Sequence, residues 1–401
     1  MTQLQRLVLG RVPLLAWIFV SGLTAVAAAS PVCPSTIAIC PCTITTSGFY
    51  TLESGTLATT GNGDCIKIRA QNVNLNLLGN AIQGPGNSST GAGIHILSEA
   101  TNAIIIGGSS TTIGSTISSF RVGIQDDANR ATIDFFNTTG NTAAGVLLNK
   151  VTGSAVADFT TNDPSVGVDI ESSQNCLLND FSTDNAVVTA GIVINNSQNL
   201  DVTNFSSGPN SLNQNVGLQM TNSNFNTLTD WDVSLNNGPG MILDHSNHNF
   251  IGGSAIGSLA SDNNGYGIGL QFSNGNRIAN IVAEETGEGV FLGASSNNIV
   301  SVFNSVNNFR CIHIGVGGAV KSGSSNGNRI FDGTVGNSLS GVVSGSKFGV
   351  VIDAGSTGNS VSFVNGSGDI DFDAQDNNPQ PCKNIWFDNT FGVVDPPACF
   401  H

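Results

Sequence analysis

One short phrase recurs along this chain: glycine, apolar, any residue, apolar, and then usually a polar residue. It reads Gly93-Ile-His-Ile-Leu97, Gly145-Val-Leu-Leu-Asn149, Gly167-Val-Asp-Ile-Glu171 and Gly191-Ile-Val-Ile-Asn195. It continues as Gly217-Leu-Gln-Met-Thr221, Gly240-Met-Ile-Leu-Asp244, Gly267-Ile-Gly-Leu-Gln271, Gly289-Val-Phe-Leu-Gly293 and Gly349-Val-Val-Ile-Asp353. Strict alternation over five residues predicts a strand with its apolar face inward. Most successive starts lie roughly 22 to 27 residues apart, a period that marks a repeat architecture. A second phrase, led by asparagine, follows at a matched place: Asn175-Cys-Leu-Leu, Asn199-Leu-Asp-Val, Asn276-Arg-Ile-Ala, Asn298, Asn328-Arg-Ile-Phe331 and Asn359-Ser-Val-Ser-Phe363. One asparagine per coil predicts a ladder of side-chain amides running up a stack. No single coil can bury its own apolar face, so the coils must stack. The pattern predicts an all-β solenoid, a single-stranded parallel β-helix of about 12 coils rising ~4.8 Å each. A leucine-rich horseshoe would need a Leu-led repeat with helices, and a propeller would need hairpin-linked blades; neither pattern is present.

The ends break the pattern. Residues 31–59 carry clustered cysteines and read as an N-terminal cap, 60–380 as the repeats, and 381–401 as a last strand and closing cap. Residues 1–30 read differently again. Arg6 and Arg11 precede or open an apolar run over 12–20, and Ala27-Ala28-Ala29-Ser30 offers a small-residue cleavage site. That is the pattern of a secretory signal peptide, the rival being a membrane anchor broken by Ser21, Gly22 and Thr24. The expected location is extracellular or periplasmic, with no membrane span in the mature chain.

Charge narrows the partners. Without Arg6 and Arg11, eleven basic residues face twenty-eight acidic ones, a net charge of −17. Such a surface repels nucleic acid and anionic membranes, and uronate-rich polymers too unless a divalent cation bridges them. In an exported chain the eight cysteines read as disulfides stapling the two ends. Cys382 with Cys399 is the pairing expected at the tail, while Cys33, Cys40, Cys42 and Cys65 leave their pairing open. Cys176 and Cys311, many coils apart, read as buried thiols.

With both phrases in place, residues 60 to 392 resemble the right-handed β-helix proteins of the pectin-lyase-like superfamily. Asp64-Cys-Ile-Lys-Ile68 and Asn72-Val-Asn-Leu-Asn-Leu-Leu-Gly79 are similar to the opening coils of its bacterial secreted members. The tail, with Cys382, Asn384-Ile-Trp386, Asn389, Phe391 and Cys399, resembles their closing segment. The resemblance implies a right-handed coil and a superfamily of polysaccharide lyases, hydrolases and epimerases alongside adhesins. It implies no one activity. The calcium-binding aspartates with an arginine base of pectate lyases are missing, as are the ordered Asn-Thr-Asp, Gly-His-Gly and Arg-Ile-Lys phrases of polygalacturonases.

Candidate chemistry falls in three places. The third and fifth residues of the first phrase should point outward as two columns, and Asp169, Glu171 and Asn195 make its best polar patch for sugar hydroxyls. The bland alternative is a solvated sheet face. Asp244-His245-Ser-Asn-His248, with Tyr266 and Arg277 near in sequence, could supply a base and a carboxylate-neutralising group for a lyase or epimerase; polar turn residues explain it equally well. Asp369, Asp371 and Asp373 would share one strand face and open like a calcium loop, yet Ala374 and Gln380 replace its turn glycine and closing glutamate. No cofactor is expected, weak calcium aside. The expected function is binding of extracellular or cell-surface glycan along the polar flank, with lyase or epimerase action and a purely structural or adhesive role as alternatives.

Overall fold

A computed structural model describes residues 30–108, 114–208, 215–254, 258–317, 320–336, 347–369, 371–378 and 381–400. The signal-peptide residues before Ser30, and Ile370 and Gln380 of the calcium-loop reading, lie outside them. The described chain is all-β, a right-handed parallel β-helix of about 14 turns with one short 3-10 turn at Pro397–Cys399. Its strands form two sheets, here called A with 15 strands and B with 20. There are more coils than the phrases suggest because the capping coils, such as Cys42–Ile44 and Val394–Asp395, lack the Gly-apolar signature yet pair in register with sheet A.

The repeat phrases are the strands of sheet A. Ile94, Ile124, Val146, Val168 and Ile192 align rung upon rung and are wholly buried. Each long strand of sheet B bends once. In Thr132–Thr139, Ala155–Asn162, Leu177–Asp184, Asp201–Ser207 and Thr227–Asp232, a single residue adopts left-handed φ. Those residues are Phe135, Asp158, Asp180, Asn204 and Asp230, with φ between 50° and 56°. Asp and Asn tolerate this geometry because their short polar side chains bond locally; a Phe there is unusual. The residue after each bend turns inward. Phe136, Phe159, Phe181 and Phe205 stack face to face with centroids 5.0, 4.8 and 5.5 Å apart, and Trp231 continues their column.

Polar ladders staple the turns. The inner asparagine ladder runs through Asn226, Asn249, Asn276, Asn298, Asn328, Asn359 and Asn384, each backbone N–H donating to the next side-chain oxygen at 2.8–3.0 Å. Asn175 and Asn199, expected in it, stand one residue earlier, at outward left-handed positions, and Cys176 and Leu200 fill the inner column instead. Beside it runs a serine ladder that the sequence reading missed, from Ser173 through Ser197, Ser223, Ser246, Ser273, Ser295 and Ser325 to Ser356. Three disulfides close the ends: Cys33–Cys42, Cys40–Cys65 and Cys382–Cys399. Cys176 is a buried thiol, and Cys311 is buried with its sulfur accepting from the Gly336 N–H.

The repeat glycine has a packing cause. A Cβ on Gly145 would fall well inside contact distance of the Thr138 hydroxyl and the Asp163 carboxylate, and 2.8 Å from the Gly167 carbonyl. The sheet A strand therefore presses directly on a polar side chain of its own preceding strand, Thr138, and on one from the next coil, Asp163. Gly145→Ala is expected to cost about 2–3 kcal/mol through overpacking. Denaturant unfolding checks it; a change below ~0.5 kcal/mol would show that the turn simply yields.

Candidate functional site

The left-handed bend gives sheet B a concave corner, and five successive corners form a groove of about 830 Å³. Two outward columns line it. The corner column is Phe135, Asp158, Asp180, Asn204 and Asp230; two residues on, Asn137, Thr160, Ser182, Ser206 and Asp232 make the second. Behind them sits the aromatic stack, almost wholly buried, which together with the outward Phe135 gives the groove an apolar floor between its polar columns. The columns bond along themselves. Asn204 and Asn179 donate to the two oxygens of Asp180, Thr160 donates to Asn137 at 2.6 Å, and Ser254 donates through N–H and hydroxyl to Asp230 at 2.8 and 3.0 Å. Asp134, one residue before the first bend, is pushed above the usual carboxylate range by burial and then by the Asp158 carboxylate beside it. The lining presents donors and acceptors at rung spacing, ~4.8 Å.

The flank expected to be polar lies on sheet A, and its columns are in register as read. Asn195 donates to Glu171 at 2.7 Å across one rung, and Asp169 stands one alternation away. Asp169 sits between Leu147 and Val193, and this burial, then Glu171, pushes its carboxyl up to about 6. The patch is assembled, on a face it shares with apolar neighbours.

The residues read as a possible catalytic set are not brought together. Asp244 pairs in register with Gln271, while Tyr266 begins that same neighbouring strand. Five residues of extended chain separate the two levels, roughly 16 Å. Asp244 contacts only its neighbour His245 in this set, at 2.8 Å, and His245 stacks on Phe272. Arg277 belongs to sheet B, over the Phe250 ring at 5.5 Å. Tyr266 stacks on Phe291, and burial followed by the charge of Glu288 raises its phenol to about 12, the wrong direction for a base. Of the calcium trio only two members meet. The Asp369 N–H donates to Asp373 at 3.2 Å and their carboxyl groups are in contact, but Asp373 also accepts from the Gly392 and Val393 N–H groups, and Asp371 lies apart, 3.6 Å from Lys347 Nζ. The strand begins only at Phe372, so the alternation expected from Asp369 onward is absent. Among the described residues no group of three or more metal-ligating side chains is placed to hold an ion.

Two histidine clamps went unread in the sequence. His95 lies between Asp64 and Asp127, on flanking coils, at 2.9 and 2.8 Å, and His313 between Glu288 and Asp353 at 3.1 Å each. Burial lowers the pKa of His95, but its bonds to Asp127 and Asp64 outweigh that and hold it up at about 9. Both nitrogens of each ring are already engaged, and His313 is 1% exposed, so these are struts across coils rather than bases open to a ligand.

No protein-family model matches the sequence, and no curated protein matches it. Solved structures do. The A-modules of the mannuronan C-5 epimerases AlgE4 and AlgE6 of Azotobacter vinelandii align with TM-scores of 0.53 and 0.52 at 13% and 14% identity. The alignments cover 86% and 88% of this chain and 91% of each of theirs. The periplasmic alginate epimerase AlgG aligns over 71% of this chain and 77% of its own, at 13% identity and a TM-score of 0.43. At such identities the likeness is one of fold.

Proposed function

We infer, from a chain that folds as a right-handed parallel β-helix of the pectin-lyase-like kind, that this is an exported glycan-binding protein whose site is the sheet B groove. One observation carries the reading: a concave channel across five coils in which hydroxyl, amide and carboxylate groups repeat once per rung above an aromatic floor. An extended polysaccharide repeats its hydroxyls on a similar scale, so one sugar can meet one coil along the groove. A peptide strand would instead seek an open sheet edge, and the corner offers none. The three disulfides support an oxidising, extracellular or periplasmic setting. This reading moves the binding site from the sheet A flank, where Asp169, Glu171 and Asn195 stand beside apolar residues, to the opposite sheet. The separation of Asp244, His245, Tyr266 and Arg277 leaves lyase or epimerase action without an assembled set there.

Ser182 stands in the middle of the groove with its side chain outward. Ser182→Trp is expected to weaken binding of the best ligand from an oligosaccharide panel by more than about 10-fold, since a bulky ring displaces every hydrogen bond near it. Its unfolding transition should match that of the parent protein. Unchanged binding in the variant would place the ligand elsewhere. No binding across the panel by the parent would favour the structural or adhesive role.

A further inference from the structure

The first corner of the groove is built unlike the other four. Asp158, Asp180, Asn204 and Asp230 suit the left-handed bend, but Phe135 holds it with a bulky ring at φ 56°, a conformation such a side chain adopts only at a cost. Packing accounts for the other left-handed phenylalanines. Phe225 stacks on His248, Phe272 on His245, and Phe363 meets Phe387, with centroids 5.2, 5.0 and 5.6 Å apart. Among the described residues Phe135 meets no other ring, yet of these four it is the one that lines the groove. The preceding coil leaves room beside it. The pairing of Ile106 with Asp134, and of Ser115 with Phe136, brings Gly107 and Gly114 level with Phe135. A Cβ on Gly107 would run into the Phe135 carbonyl, and one on Gly114 would lie 2.7 Å from it. The two glycines thus hold the Phe135 peptide closely without setting a side chain of their own beside the ring.

Resting on the glycan reading, we propose that Phe135 is the platform on which one sugar ring stacks at this end of the groove, and that the polymer bound is an extended, equatorially linked chain of neutral hexoses. A pyranose with equatorial hydroxyls presents C–H groups on its faces. An aromatic ring, whose face is the negative part of its quadrupole, attracts those groups while both surfaces lose water. Beyond Phe135 the groups of Asp158, Thr160, Asp180 and Ser182 recur at ~4.8 Å per coil. An equatorially linked chain is nearly straight and stays in step with them, whereas an axially linked one coils away. Neutral sugars also set hydroxyl donors against the corner carboxylates, where a polyuronate would set like charge. Phe135 then fixes which sugar meets which coil.

The test is calorimetric titration with cellohexaose, which is equatorially linked, and with maltohexaose, its axially linked isomer. The parent protein should bind cellohexaose about 10-fold or more tightly than maltohexaose. Phe135→Asn installs the residue type that Asn204 already places in a corner, so its unfolding midpoint should equal or exceed the parent's. Its affinity for cellohexaose should nonetheless fall about 10-fold, while Phe135→Tyr stays within about threefold of the parent. In NMR spectra of bound cellohexaose, the C–H protons of one glucose should move upfield with the parent and with Phe135→Tyr, but not with Phe135→Asn. No such shift with the parent, or binding unchanged in Phe135→Asn and lost in Ser182→Trp, would overturn the platform and leave the groove as a glycan site. Equal affinity for the two hexamers, or none for cellohexaose, would overturn the polymer named here. Cellohexaose binding that survives Ser182→Trp would overturn both readings, because the sugar would then lie outside the groove.

Discussion

Replacing Asn298 by alanine is expected to lower the free energy of unfolding by about 3–4 kcal/mol, although it removes only one small polar side chain. Asn298 is wholly buried and holds four bonds across three coils. Its oxygen accepts from the backbone N–H and the side-chain amide of Asn276 at 2.8 and 3.2 Å. Its amide donates to the Ser273 carbonyl at 3.0 Å and to Asn328 at 3.1 Å. Alanine leaves the Asn276 N–H groups without their acceptor and the Ser273 carbonyl without this donor, in an interior that water does not reach. An orphaned buried group costs about 1–3 kcal/mol, and here more than one is created. The outward Asn199 gives the control. Its φ is 54°, so Asn199→Ala should cost only about 1 kcal/mol, for placing alanine in a left-handed conformation. Denaturant titration of both variants, followed at the coils around Asn298 because a stacked array can unfold in segments, decides the matter. Equal losses would mean that the ladder adds nothing beyond local turn geometry.

The same contrast explains what could be read from the sequence. Alternation and period specify strands and stacking, because the inward residues of one coil meet those of the next at nearly fixed spacing along the chain. The sheet A columns were therefore legible residue by residue, Asp169 and Glu171 among them. Asparagine alone could not distinguish an inward ladder from an outward turn, since the residue suits both. Only the neighbours separate the cases: Asn276 is followed by a strand, while Asn199 precedes Leu200, which takes the inner place. The proposed catalytic set failed for a geometric reason. In a coil, residues five apart lie roughly 16 Å apart, and true neighbours are about one repeat away. His95 with Asp64 and Asp127, separated by 31 and 32 residues, shows the rule. The groove had a signal that went unused: an Asp or Asn directly before a matched aromatic, as in Asp158-Phe159, Asp180-Phe181, Asn204-Phe205 and Asp230-Trp231. That pair encodes a left-handed corner followed by an inward ring, and a column of such corners is a channel.

Buried carboxyls lead to the other large effect, a stability that declines as pH rises from about 5 to about 9. Asp126 is wholly buried, accepts from the Ala128 N–H at 2.9 Å and from the Ser154 hydroxyl at 2.8 Å, and burial lifts its carboxyl to about 7. Desolvation likewise raises Asp163 and Asp169 to about 6 and Asp369 to about 8. In the unfolded chain these groups ionise near 3.8, so between that pH and their folded values the folded state binds more protons. Stability then falls with pH across that window. For Asp126, whose folded value lies about three units above the unfolded one, the loss approaches ~4 kcal/mol by pH 8. His95 adds to the decline in a later window. Its imidazolium clamp is fully present below 6.5 and is lost as pH rises through about 9. The lowered carboxyls of Asp64, Asp127 and Asp353 act in the opposite sense, contributing stability above the ordinary carboxylate range that disappears in acid. The optimum should therefore sit near pH 4–5. Asp126→Asn keeps an acceptor for Ala128 and a polar contact for Ser154 without the charge. Its unfolding free energy should match the parent at pH 5, exceed it at pH 8, and decline less steeply between. A parent profile that rises from pH 5 to 9, or a variant whose slope is unchanged, would mean that Asp126 stays ionised and is stabilised by groups other than those it touches here.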